Sequence, residues 1–148
     1  MPDVIDDART LRKFKDKCAS QILMTHTLEH IPPSDLFKCC RSMYRVLIPG
    51  GRLTVIVPHA TGAIYAHTNG DLCFAELQRV ILGSDPCATK YMPHFSIFNK
   101  QKLYRTLAVA GFVRCNIYNN DEDWTLKAVC YTSGGVKNAT RSRSRRNR

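Results

Sequence analysis

Three residues within a five-residue span could do chemistry together: His26, Glu29 and His30. Histidine ordinarily titrates near ~6.5, so it can take or give a proton at neutral pH. A carboxylate beside it can orient the ring or accept a hydrogen bond. The three also spell H-x-x-E-H, the inverted zinc-peptidase pattern. That pattern works on an α-helix, where the two histidines share one face. Here the apolar run Ile22-Leu23-Met24 precedes it, and Ile31-Pro32-Pro33 follows at once. A strand followed by a proline stop is expected instead, so no metal site is assigned. Two other histidines stand at segment ends. His59 follows an apolar run, and His94 precedes Phe95 and Phe98. With Tyr65, Tyr91 and Phe95 as an apolar wall, they are candidates for the substrate side of a site. Lys13, Lys15 and Lys17 alternate and read as a solvated face.

The elements that must position these residues are marked at their junctions. Ser20 to Thr25 is strand-length and ends in the polar pair Thr25-His26. Ser34 offers an N-cap and Asp35 a first-turn carboxylate. Leu36, Cys40, Met43 and Leu47 then recur at helical spacing. Pro49-Gly50-Gly51 predicts a stop and a turn. Leu53 to Val57 is a nearly all-apolar run, the pattern of a parallel strand covered on both faces. Strand, helix and strand in this length predict a right-handed βαβ unit. In open sheets of this kind ligands lie at the carboxyl ends of the strands, which here are Thr25 to His30 and Pro58-His59. Upstream, Pro2 to Ile5 reads as the end of a short strand, and Asp6-Asp7-Ala8 as a turn or cap. Downstream, Ala60 to Ala63 reads as a loop, Asp71 to Leu82 as a helix capped by Asp71 with Leu72, Ala75, Leu77 and Ile81 inward, and Ser84 to Pro86 as a turn. Asn99 caps a further helix carrying Leu103, Leu107 and Ala110. Phe112 to Tyr118 and Trp124 to Tyr131 form an antiparallel hairpin around the polar turn 119–123.

A chain of 148 residues with 44% hydrophobic and 23% charged residues suits one domain with a real core. No apolar run approaches the ~20 residues of a membrane span, and no membrane partner is expected. Seven irregularly spaced cysteines, with no secretory signal, imply reduced thiols and a cytoplasmic location. Six units of the net charge of +10 lie in Lys137, Arg141, Arg143, Arg145, Arg146 and Arg148. Residues 1–133 therefore read as the folded part. Residues 134–148 read as a disordered basic tail, able to bind nucleic acid nonspecifically through phosphates.

The motifs HTLEHIP, RVLIPGG and RLTVIVP, in this order, resemble the central part of the class I S-adenosylmethionine-dependent methyltransferases, closest to a small subgroup whose fourth strand ends in Leu-Glu-His. DDARTLRKFKDKCASQI before them and HFSIFNKQKLYRTLAVAGF after them are similar to the same family, and the resemblance covers about residues 3 to 131. It implies an α/β fold: a partial Rossmann-like sheet of parallel strands with crossover helices and a C-terminal antiparallel hairpin. It also implies S-adenosylmethionine as cofactor and methyl transfer to an acceptor that the sequence does not identify. By the resemblance, Asp7 (or else Asp6) with Ala8 would meet the adenine, and Thr25 and His26 would pass the methionine part. His30 would face the transferred methyl as a general base, or brace the loop together with Glu29. His59, Tyr65 and His94 would line the substrate side.

The chain departs from the family in one respect. A first strand with a Gly-rich turn, and the acid that ends the second strand, have no counterpart here; the paired glycines are Gly50-Gly51 and Gly134-Gly135. The N-terminal strands of the sheet are expected to be missing, and with them half of the cofactor pocket. The exposed sheet edge left behind invites a partner, either the missing half or a second copy. Two readings stay open: a methyltransferase impaired by truncation, and a non-catalytic remnant binding nucleic acid or a partner through its tail.

Overall fold

The computed structural model describes residues 4–83, 93–120 and 124–134. β1 (Ala19–Thr25) and β2 (Leu47–Pro58) run parallel, with Met24 opposite Val55 and Thr25 opposite Ile56. Between them in the chain lies α1 (Leu36–Val46). β3 (Val113–Asn120) and β4 (Thr125–Tyr131) form the expected hairpin, and β4 lies antiparallel to β2. The sheet order is β1-β2-β4-β3. The fold is therefore α/β with a mixed, partial Rossmann-like sheet, as the sequence implied. The basic tail from residue 135 onward and the segment with Tyr91, Ser84, Asp85 and Pro86 lie outside the described residues, as does the middle of the polar turn, 121–123.

The core lies on one side of the sheet. Leu53, Val55 and Val57 of β2 and Leu126, Ala128 and Cys130 of β4 are all buried at 1% exposure or less. They pack with Cys39, Cys40 and Met43 of α1 and with Leu103 and Leu107 of α4 (Lys100–Val109). Strand side chains alternate between faces, so Leu23, Thr54, Ile56 and Val129 point the other way. Leu23 is 69% exposed there, and Thr54, Ile56 and Val129 are half-buried. The expectation that β2 is covered on both faces is thus corrected. The run Leu53 to Val57 is apolar throughout, and the periodicity does not say whether its second face is roofed. β2 is flanked by β1 and β4, so among the described strands the edges belong to β1 and β3.

Several boundaries also differ. Ser34 lies inside a 3-10 turn, Pro33–Asp35, and makes no capping bond; Asp35 occupies the N-cap of α1. Leu47 leaves the helix for β2, and Pro49-Gly50-Gly51 is an irregularity within that strand rather than a stop, where Ala19 pairs with Leu47 but Gln21 with Arg52. Ala60–Thr68 is a helix, α2, not a loop; Ala63 and Ala66 pack with Leu72. α3 spans Phe74–Leu82, capped at Cys73 rather than Asp71, and Ala75 is exposed. Gly83 ends it at a positive φ of 92°, as glycine readily does. Val4 and Ile5 form no strand. The Asn99 cap is present: its side chain accepts from Lys102 N at 2.8 Å. Residues 9–17 form the expected surface loop, held by Arg45, which donates to the carbonyls of Phe14, Thr10 and Leu11 and pairs with Asp16 at 2.6 Å.

Candidate functional site

The parallel pairing of β1 and β2 ends both strands on one edge. His26 N donates to Ile56 O at 3.0 Å, the last rung before β1 breaks off. His26 itself has a φ of 46°, in the left-handed region that non-glycine residues seldom enter. That conformation turns the chain out of the strand and into the 3-10 turn Leu28–His30. The H-x-x-E-H run therefore does not lie on an α-helix, and its two histidines do not share a helical face. Pro33 starts the next turn, and Leu28, fully buried, pins the loop to the core.

The segment 93–98 folds back over this turn. Phe95 N and Ser96 N both donate to Glu29 O, and Ser96 Oγ donates to Ile31 O. Pro93 pairs with Gly83, and His94 N donates to Leu82 O, so the end of α3 closes the far wall. The result is a cleft of about 330 Å³. His26, Glu29, His30 and His94 line it, with Arg79 on one side and Trp124 and Thr125 on the other.

Inside the cleft the polar groups are held in particular states. His30 Nδ1 lies 2.9 Å from Pro93 O, and His94 Nδ1 lies 3.1 Å from Val80 O. A carbonyl can only accept, so each Nδ1 carries a proton, and in the neutral ring Nε2 keeps its lone pair. Burial holds the His94 imidazole below its ordinary pKa, against the weaker pull of its carbonyl bond and of Glu29. The two rings meet edge to face, 5.0 Å apart. Glu29 is 1% exposed, and neither carboxylate oxygen has a hydrogen-bond partner among the described residues. His26 Nδ1 approaches Oε1 to 3.3 Å, without hydrogen-bond geometry. That contact is weak, because the His26 side chain is half exposed and screened by solvent.

The cleft thus brings together His26, Glu29, His30 and His94 of the residues singled out from the sequence. Thr25, at the end of β1, is exposed beside them. His59 is buried under α2: its N donates to Trp124 O and its O accepts from Ala63 N. Tyr65, on α2, is 68% exposed, and neither it nor His59 lines the cleft. Asp7 lies elsewhere, against Arg9. Its carboxylate accepts from Arg9 N, Nε and Nη2, with the shortest contact 2.7 Å, and Arg9 reaches on to Asp35. Hydrogen bonds from Arg9 hold Asp7 at a pKa of about 2. Asp6 caps its own turn by accepting from Asp7 N and Lys13 N. Ala8 O accepts from Ser42 Oγ and Cys39 Sγ, which fastens this turn to α1. The sequence reading missed Arg79, Trp124 and Thr125. The one tryptophan, at the start of the last strand, was the available signal.

The family model of the methyltransferase domain matches residues 3–55, which hold β1, α1 and most of β2. The motifs HTLEHIP and RVLIPGG lie within that match, so the resemblance drawn from them is found again. No curated protein matches the chain in sequence. Among solved structures, an exported-protein candidate from Bordetella parapertussis superposes with a TM-score of 0.63 at 14% identity, over 87% of this chain and 43% of its own. A SAM-dependent methyltransferase from Methanosarcina mazei gives 0.61 at 18% identity, over 88% of this chain and 66% of its own. The Burkholderia thailandensis 1,6-didemethyltoxoflavin-N1-methyltransferase, solved with 1,6-didemethyltoxoflavin and S-adenosylhomocysteine, gives 0.57 at 16% identity, over 88% and 50%. The fold is that of part of a class I methyltransferase. The chain spans less than two thirds of the length of each of these structures. No helix among the described residues is long and apolar enough to cross a membrane.

Proposed function

We propose that this chain carries the acceptor side of an S-adenosylmethionine-dependent methyltransferase. One observation carries the reading: β1 and β2 end side by side, so the His26–His30 turn and the end of β2 open on one cleft. The match of residues 3–55 to the methyltransferase domain supports it. The cofactor, when bound, supplies an already activated methyl group. The protein's task is then chiefly alignment, which can account for a large share of rate enhancement.

Each residue has a part in this reading. His30 keeps its Nε2 lone pair for the proton of an acceptor hydroxyl or amine, with its ring fixed by Pro93 O. Glu29 anchors the 93–96 segment through its backbone carbonyl. His26 and Thr25 take the methionine side. His94 borders the acceptor; His59, buried at the start of α2, and Tyr65, exposed on α2, lie outside the cleft. The residues present fit the cofactor in part only. Asp7, with Ala8, meets an adenine amino group only when Arg9 lets its carboxylate go, and this chain has no Gly-rich turn for the rest. The N-terminal strands that carry that turn in the family would pair along the edge of β1 and roof the open face at Leu23. A second copy of the chain is the other candidate for that surface.

Calorimetry on the full chain tests the reading. Saturable heat with S-adenosylmethionine, displaced by S-adenosylhomocysteine, is the expected result. Absence of heat at millimolar concentration points instead to a non-catalytic binding protein on the same scaffold.

A further inference from the structure

Glu29 poses a problem that methyl transfer does not solve. A carboxylate removed from water without a partner is costly, and proteins ordinarily pair such a group or give it a metal. Glu29 is 1% exposed, both its oxygens lack hydrogen-bond partners among the described residues, and its ion-pair contact, His26 Nδ1 at 3.3 Å from Oε1, comes from a half-exposed ring. One carboxylate oxygen of Glu29 and one ring nitrogen each of His30 and His94 lie within 4.8 Å of one another. Both imidazoles donate from Nδ1 to a backbone carbonyl, Pro93 O and Val80 O. That outer contact is the one that metal-binding histidines characteristically make, because it fixes the ring and leaves Nε2 to coordinate. The three residues come from two segments, the turn after β1 and the stretch after α3. The 93–96 segment is fastened to Glu29 by two backbone hydrogen bonds, which hold the residues in register.

We propose that Glu29, His30 and His94 form a site for a first-row divalent transition metal, with zinc as the best-matched ion. Two imidazoles and one carboxylate are the protein ligands of one class of catalytic zinc site, whose remaining position is left open to the cleft. Calcium and magnesium prefer all-oxygen shells, which this site does not offer. In tetrahedral zinc, ligand atoms stand ~3.3 Å apart, as follows from bond lengths of ~2.0–2.1 Å. The two rings and the carboxylate would therefore draw inward on binding. The site does not depend on methyl transfer. A metal on Nε2 leaves His30 no lone pair for an acceptor's proton, so the base role in the methyl-transfer reading belongs to the metal-free chain. The H-x-x-E-H pattern is not the source of this site, since His26 is not one of the three and no α-helix carries them.

The test uses the full chain, kept reduced, titrated with zinc against a chromophoric chelator and separately with cobalt. The expected result is one equivalent of zinc. The cobalt complex should show ligand-field bands and no thiolate charge-transfer band. Glu29→Gln and His94→Ala should each weaken zinc by more than ~10-fold, because losing even an outer partner costs ~10–100-fold. His67→Ala, whose ring bonds Leu72 O on the far side of α2, should bind as the parent does. On the unsubstituted chain, zinc should shift the ring-proton NMR signals of His30 and His94 but not those of His67. This arm decides the matter if a variant fails to fold. Absence of zinc binding, a thiolate band, variants that bind like the parent, or unmoved His30 and His94 signals would each overturn the proposal.

Discussion

Asp7 shows that a residue's type does not tell which neighbour already holds it. The sequence offers an acid after a short N-terminal segment, and the resemblance assigns it to adenine. In the structure the carboxylate faces Arg9, and both its oxygens accept from that guanidinium. A carboxyl titration followed by NMR should place Asp7 at about 2, and Arg9→Ala should return it towards 3.8. The folded-state pKa is depressed, so the stabilisation is complete above the ordinary carboxylate value. It is lost as pH falls from 3.8 through about 2. The pair is exposed, so its effect on stability is small. If Asp7 titrates at its ordinary value in the parent chain, Arg9 does not hold it. Glu29 is the opposite case. Nothing in Leu28-Glu29-His30 says that the middle residue is the buried acid, because that depends on how segment 93–96 folds over the turn.

At the scale of elements, α2 is the clearest departure from the sequence reading, and Gly62 is the reason. A glycine two residues into an alanine-rich stretch reads as loop. Here it serves a close approach instead. A Cβ at Gly62 would stand 2.5 Å from His59 Nδ1, and that ring is buried. Gly62→Ala should therefore cost about 1–3 kcal/mol, the usual range for overpacking, measured by urea denaturation. A neutral Gly62→Ala would show that His59 can move and that α2 is not packed on it. Asn99 shows the complementary case. Its cap was legible because side-chain capping is a local interaction that needs only the next turn of backbone.

For the whole molecule, the main fact is a sheet whose one face the described residues cover with the core. Leu23 stands 69% exposed on the other, beside the outer edge of β1. Unpaired strand edges and bare apolar faces tend to find partners, and a charged residue on an edge strand blocks pairing. Sedimentation of the full chain should show concentration-dependent association, and Leu23→Lys should reduce it without lowering the melting temperature. A strictly monomeric parent chain would rule out a second copy as the occupant of that edge.

Local signals settled much of this protein before any coordinates. The apolar run before Thr25-His26, the proline pair, the spacing of Leu36, Cys40 and Met43, and the Asn99 cap each act over a few residues. Short-range sterics and hydrogen bonding therefore write them into the chain. The motifs in the central βαβ unit carried the family resemblance for the same reason. Tertiary structure alone decided which face of β2 the described residues cover, and that His94 meets Glu29 and His30. These depend on contacts between segments far apart in sequence, and periodicity has no means of recording them.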